Sequence, residues 1–383
     1  MKSGKPFGLL AMVLWMASGL LVGCGKSTPL TLKIGVAIPL SGPSAARGKD
    51  LLNGVRLAAN ELNSSGLKVA GKPATIEIVP VDDKADKDVA MRVAQDLVSA
   101  QVVAVIGDLS SDVTEVTIPV YKRGNVPQLF TSSATDLIKL GDGNAFRLVA
   151  NDTLQAQAIV GYLGDSIKAN KVALLYEDSS FGVPIGRDVT GMLKKQDKGV
   201  VVNEPVGKET TDFASLVAAI KAAQPEVLVA VLRDQQLLPL FKQLEAAQVT
   251  RLPVIVPGSA KTEKLLRSAD ALKSVYVTSS VVDPNDTDSG KAFIKKFRSV
   301  YSADPVWAAH YGYDAVYILA DVIQHAQSVD PKTICEQLRT LDTNAPVNGS
   351  LRFAASGEQR YPGITVYQRD NGRWDSLMRS DRW

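Results

Sequence analysis

The chain has 383 residues, 45% hydrophobic and 22% charged, which is enough apolar material for two globular domains and far too much for disorder. The formal charge of +3 is small, and once Lys2 and Lys5 in the acid-free first 23 residues are set aside, basic and acidic side chains balance to within one; no basic stripe for nucleic acid is implied. Two cysteines cannot build a disulfide framework, and two histidines are a thin supply for metal or acid–base chemistry.

The chain opens on a short basic start, Met1–Pro6, followed by the uncharged apolar run Phe7–Val22. That run is too short for a spanning helix and reads, with its flanks, as a secretory signal peptide over residues 1–23. Leu21-Val22-Gly23-Cys24 resembles the lipobox of bacterial lipoproteins, which would make Cys24 the lipidated first residue of the mature chain and residues 24–31 a tether. Each buried acyl methylene contributes about 0.8 kcal/mol, so several chains anchor durably. Gly23-Cys24-Gly25-Lys26-Ser27 is not a phosphate loop: Leu20 stands where its first glycine is needed, and no helix follows.

After the tether, apolar runs alternate with helical spacing. Lys33–Ile38, Ala74–Val81, Val102–Ile106 and Val126–Phe130 read as strands, and Gly48–Asn63, Ala85–Ser99 and Ser110–Arg123 as helices. The pattern then restarts with strands Val172–Tyr176, Gly199–Val206, Val227–Val231, Leu252–Val256 and Val275–Thr278. Helices Phe181–Lys195, Asp212–Ala223 and Gln235–Ala247 fall between them, Asp212 being a candidate N-cap. Helices Thr287–Tyr301, Ala308–Ala326 and Pro331–Leu341 and late strands Leu351–Phe353 and Gly363–Arg369 complete the chain. Such alternation predicts an α/β fold of two doubly wound parallel sheets covered on both faces. The polar stretch Val282–Gly290 reads as a crossing between lobes; Asp288 stands where a calcium loop needs glycine.

Ligands of open parallel sheets sit beyond the carboxyl ends of the strands. Three loops there belong to the first lobe: Pro39–Gly48, Gly107–Asp112 and Thr131–Thr135. The second offers Ser110 and Ser111 at a helix N-terminus, where hydroxyls, free N–H groups and the helix dipole favour an anion. The third adds Ser133 and Thr135 from the neighbouring strand.

The chain resembles the leucine/isoleucine/valine-binding family of type I periplasmic binding proteins, the solute receptors of ABC importers. The resemblance rests on Ile38-Pro39-Leu40-Ser41-Gly42-Pro43 with Gly48 and Asn53-Gly54, Val105-Ile106-Gly107 with Ser110-Ser111, and Ser133-Ala134-Thr135. It continues through Tyr176 to Phe181-Gly182, Asp212-Phe213 and Tyr313-Asp314-Ala315, in the family's order over roughly residues 32–370. It implies two lobes joined by a multi-strand hinge, 32–151 plus 282–355 and 152–281 plus 356–383. It also implies that Ser111 and Thr135, with backbone around Ser133 and Ala134 and neighbours Leu109 and Ser110, hold a ligand carboxylate. Phe181 matches a cleft aromatic, and Trp307 and Tyr311 are candidate apolar walls. The family's ammonium-binding acid falls at Gly258, so a free amino group would lack its usual partner unless Asp234 replaces it. Arg47 stands at a commonly aromatic position; facing the cleft, it would pair with a second ligand carboxylate or with Asp234. Ala85 and Ser110 occupy the positions of a disulfide found in some members, and Cys335 reads as a buried thiol.

The function implied is a non-enzymatic receptor that closes on a small carboxylate-bearing solute, an amino acid or derivative, or an amide or organic acid given Gly258. It would be a monomer without cofactor or metal, anchored through Cys24 in the periplasm or at the cell surface, with an ABC permease as partner. The other reading is a lipoprotein of the same fold that senses a ligand or regulates a cell-envelope enzyme. Nothing points to catalysis: there is no G-x-S-x-G, H-E-x-x-H or strand-borne G-x-G-x-x-G, and His310 and His325 share one helix without paired ligands.

Overall fold

The computed structural model describes residues 1, 29–268, 270–340 and 342–380; the signal peptide, Cys24 and most of the tether lie outside them. In chain order the first lobe contains β1 (Leu30–Ile38), α1 (Ala45–Ser65), β2 (Lys68–Val69), β3 (Lys72–Asp82), α2 (Lys87–Ser99) and β4 (Ala104–Ile106). It continues with α3 (Ser111–Arg123), β5 (Gln128–Phe130), α4 (Ile138–Gly141) and β6 (Ala145–Arg147). The chain crosses to a second lobe of α5 (Asp152–Tyr162), β7 (Lys171–Glu177), α6 (Gly182–Lys195), β8 (Gly199–Val206) and α7 (Ala214–Ala223). There follow β9 (Val227–Val231), α8 (Asp234–Ala246), β10 (Val254–Pro257), α9 (Glu263–Ser268) and β11 (Val275–Ser279). It returns with α10 (Asp288–Tyr301), α11 (Ala309–Ala326), α12 (Pro331–Leu338) and the hairpin β12 (Thr343–Ala345) and β13 (Gly349–Leu351). It crosses once more to β14 (Thr365–Asp370) and β15 (Arg373–Arg379).

The sheets run β2-β3-β1-β4-β5-β6 and β15-β14-β11-β10-β9-β7-β8. Only β2, β14 and β15 pair antiparallel within them. This is the doubly wound α/β architecture that the alternation predicts. Strand periodicity explains why helices cover both faces. Along β1, Leu32, Ile34, Val36 and Ile38 enter a core shared with α1, α10 and α11, whereas Ala37 packs towards α2 and α3. In the second lobe, Ala173 and Leu175 of β7 meet α7 and α8, and Val172 and Leu174 meet α5 and α6.

Helices α1 and α11 approach closely because a Cβ at Gly54 would stand 1.8 Å from the Ala309 carbonyl oxygen. The buried Asp50 on α1 accepts the backbone N–H groups of Val306, Trp307, Ala308 and Ala309 at 2.7–2.9 Å, so one helix caps the start of the other. Boundaries differ from expectation in traceable ways. Asp212 is not the N-cap: Phe213 holds that position, and Asp212 accepts the Ala214 N–H at 3.0 Å. The expected strand Leu351–Phe353 divides, Leu351 ending the hairpin and Phe353 bridging to Gln359.

Candidate functional site

A cleft of about 820 Å³ lies where the strand ends of the two lobes face each other. From the first lobe come Pro39 after β1, Asp83 and Ala85 after β3, Leu109–Ser111 after β4 and Thr131–Ser133 after β5. The second lobe contributes Phe181 after β7, Arg233 after β9, Pro257–Ser259 from the end of β10, and Ser279 with Ser280 from the end of β11.

Of the residues singled out in the sequence, Arg47, Leu109, Ser110, Ser111, Ser133, Phe181 and Gly258 line this cleft, as do Trp307 and Ala85. Four others stand outside its lining. Ala134 is buried and donates its N–H to Ser111 Oγ at 3.2 Å. Thr135 turns its hydroxyl to Thr153, 3.1 Å between the two oxygens, and also accepts the Thr153 N–H at 3.3 Å. Asp234 opens α8, 3.7 Å from the Arg47 guanidinium. Tyr311 is core and its hydroxyl accepts the Val282 N–H at 3.4 Å. No side chain fits at Gly258 on this backbone, because a Cβ would stand 2.6 Å from Ser279 Oγ.

The hydroxyl-lined half of the cleft is built from β4, α3 and β5. Ser110 caps α3, its Oγ accepting the Val113 N–H at 3.4 Å, and leaves the first-turn N–H groups of Ser111 and Asp112 without intrahelical partners. Thr114 ties the two loops: its hydroxyl donates to the Ser110 carbonyl at 2.9 Å or shares a hydrogen with Ser132 Oγ. Arg147, fully buried at the end of β6, donates to the carbonyls of Ser132, Ala134 and Thr135 and pairs with Glu358 at 3.0 Å. It pins the carbonyls of the β5 loop to one side. Neither Thr114 nor Arg147 stands out in the sequence.

Four buried polar atoms on cleft residues have no hydrogen-bond partner among the described residues: Gln155 Nε2, Thr131 Oγ1, Ser259 Oγ and Trp307 Nε1. Each can donate. Buried groups of this kind cost 1–3 kcal/mol unless something pairs with them, so the cleft wall is set for an acceptor-rich solute.

Two guanidinium groups also face the cleft. Arg47 of α1 stacks 5.6 Å from the Trp307 ring and donates to the Ser259 carbonyl of the other lobe. Burial pulls its guanidinium below the ordinary arginine range, Asp234 opposes that, and Arg233 adds to it. Arg233 lies 5.9 Å from the Phe181 ring and is held through Nε by both oxygens of the buried Glu177 at 3.0 Å. Burial pushes Asp83 up to about 6, against its bond from the Ala85 N–H. Behind Ser133, burial pushes Asp152 up to about 7, and the Ser133 hydroxyl opposes this.

The lobes also touch outside the cleft. Lys208 pairs with Asp112 at 2.6 Å, and Ser180 donates its N–H to Asp112 and its hydroxyl to Glu115, both at 3.3 Å. Among the described residues no group of three or more His, Cys, Asp or Glu could hold a metal ion.

The sequence model of the periplasmic binding protein family matches residues 31–373. Leu/Ile/Val-binding protein homolog 1 of Brucella abortus is 25% identical over 93% of this chain and 95% of its own length. The crystal structure of the leucine-binding protein LivK of Thermotoga maritima superposes with a TM-score of 0.81 at 20% identity, over 92% of this chain and 100% of the other. The solute-binding protein of an R. palustris ABC transporter, solved in complex with benzoate, gives a TM-score of 0.78 at 20% identity, over 91% of this chain and 96% of the other.

Proposed function

The chain belongs to the periplasmic binding protein family, and from that we propose that it is the extracytoplasmic solute receptor of an ABC importer, closing its two lobes on a small carboxylate-bearing solute and presenting the closed form to a membrane permease. In this reading Cys24 carries the lipid anchor and the protein works as a monomer. The observation that carries it is the set of unpaired buried donors, Gln155 Nε2, Thr131 Oγ1, Ser259 Oγ and Trp307 Nε1, around one cleft between two lobes. A solute that pairs with donors of both lobes at once gives the closed state its differential affinity.

The carboxylate sits on Ser111, Ser133 and the first turn of α3, with Ser110 and Leu109 shaping the approach. The names of its relatives support an amino acid or another organic acid: a leucine-binding protein and a benzoate complex share this fold. Thermal melting of the purified protein against a panel of amino acids and organic acids tests the proposal. A cognate solute at a hundred times its Kd adds about 2.7 kcal/mol of stability. Ser111→Ala removes a hydrogen bond to a charged group and weakens binding by tens of fold. Stabilisation by sugars alone, or full affinity in Ser111→Ala, counts against the carboxylate cradle.

A further inference from the structure

We propose that the solute carries two acidic groups, one seated in the hydroxyl cradle and the other met by the guanidinium groups of Arg47 and Arg233. This rests on the receptor reading above and narrows its ligand.

The two arginines come from opposite lobes, Arg47 from α1 and Arg233 from the end of β9, and both line the cleft. Both ring contacts engage the guanidinium carbon over an aromatic side chain, Trp307 for Arg47 and Phe181 for Arg233. Such stacking leaves in-plane N–H groups free to donate. Arg233 spends only Nε on Glu177, and its two terminal nitrogens have no partner among the described residues. Arg47 spends one terminal nitrogen on the Ser259 carbonyl; Asp234, at 3.7 Å, is beyond hydrogen-bond reach. Arg47 therefore keeps Nε and its other terminal nitrogen for a ligand.

Each guanidinium has an acid beside it, Asp234 3.7 Å from Arg47 and Glu177 3.0 Å from Arg233, but neither acid occupies the remaining N–H groups. Glu177 is buried beneath Arg233 and committed to it. Asp83, the acid that lines the cleft among the described residues, sits at the β3 edge and already accepts the Ala85 N–H. At Gly258, Ser279 leaves no room for a carboxylate side chain that would take an ammonium group. Closing the lobes brings two like charges into one partly desolvated space, close enough for Arg233 to act on Arg47. An anionic group between them turns that repulsion into attraction and is held bidentately. A solute with one carboxylate and an apolar tail would leave the remaining N–H groups of both arginines without an acceptor.

Isothermal titration of the purified protein against matched pairs tests the proposal: glutarate with its monoamide, succinate with its monoamide, and glutamate with glutamine. The diacid of at least one pair should bind tenfold or more tighter than its amide, the loss expected when one charged hydrogen-bonding group is neutralised. In Arg233→Gln that ratio should collapse towards one. Arg47→Gln should act the same way, and melting curves confirm that each variant is folded. Equal affinity within every pair overturns the proposal, as does a diacid preference that survives both substitutions. Tight binding of leucine or benzoate with no response to any diacid also overturns it while leaving the receptor reading intact. If no acid of any kind binds, the receptor reading falls with it.

Discussion

Ser111 and Arg147 show two ways in which a single residue serves the cleft. Ser111 was legible as a cleft residue because it stands at a helix N-terminus beyond a strand end, one of three hydroxyl-bearing loops of the same sheet. Arg147 was not, since nothing near it in the chain marks it; its three carbonyl partners and Glu358 come together only in the folded lobe. Thr135 is the reverse case. Its place in the motif points to the ligand, but its hydroxyl spans the lobes to Thr153, because α5, which carries Thr153, begins only a few residues after the first crossing. His310 reads in the sequence as a packed helix histidine, and the structure buries it beside the rings of Phe293 and Tyr311. Burial lowers it to about 4 from its ordinary 6.5. The unfolded chain therefore takes this proton first as pH falls. The neutral ring contributes fully above about pH 6.5, and its contribution drains away down to about pH 4, some 3 kcal/mol in all. Between pH 7 and pH 4 the urea midpoint of wild type should fall relative to that of His310→Leu. Parallel curves would count against the assignment.

At the scale of elements, helices with one apolar stripe were predictable and the helix without one was not. The buried face of α5 mixes polar Asp152 and Gln155 with Ile159 and Tyr162, and burial extends round its flanks to Ala158 and Val160, so its sequence shows no single apolar stripe although Asn151 caps it through the Leu154 N–H at 3.1 Å. The short strand β6 escaped for a related reason: three residues are too few to establish a period. The cap that Asp50 places on α11 links elements some 250 residues apart, and no local pattern announces it. Burial pushes its carboxyl up while the four N–H donors pull it back down. Asp50→Ala strands those donors in the core and should cost about 3 kcal/mol, read as a fall in the denaturant midpoint. Asp50→Asn keeps one accepting oxygen and should lose roughly half as much.

For the whole molecule, alternation of strands and helices was enough to predict two wound sheets. The join was less legible, because three crossings, after β6, after β11 and after β13, are short irregular segments. Lys208 and Asp112 clasp the lobes at 2.6 Å away from the cleft wall. Lys208 is half exposed, so the pair contributes about 0.2–1 kcal/mol. Lys208→Ala should accordingly weaken solute binding by up to about fivefold, with small-angle scattering of the unliganded protein moving towards a larger radius; an unchanged scattering curve and affinity would show the clasp to be idle. Cys335 is buried in α12, and burial pushes its thiol up to about 12, so it stays inert to maleimide dyes at neutral pH. With residues 1–28 removed, cysteines introduced at the exposed positions Thr31, in one lobe, and Ser376, in the other, would be the sole sites for a donor and acceptor fluorophore. The native thiol would need no replacement before such a pair reports solute uptake as energy transfer.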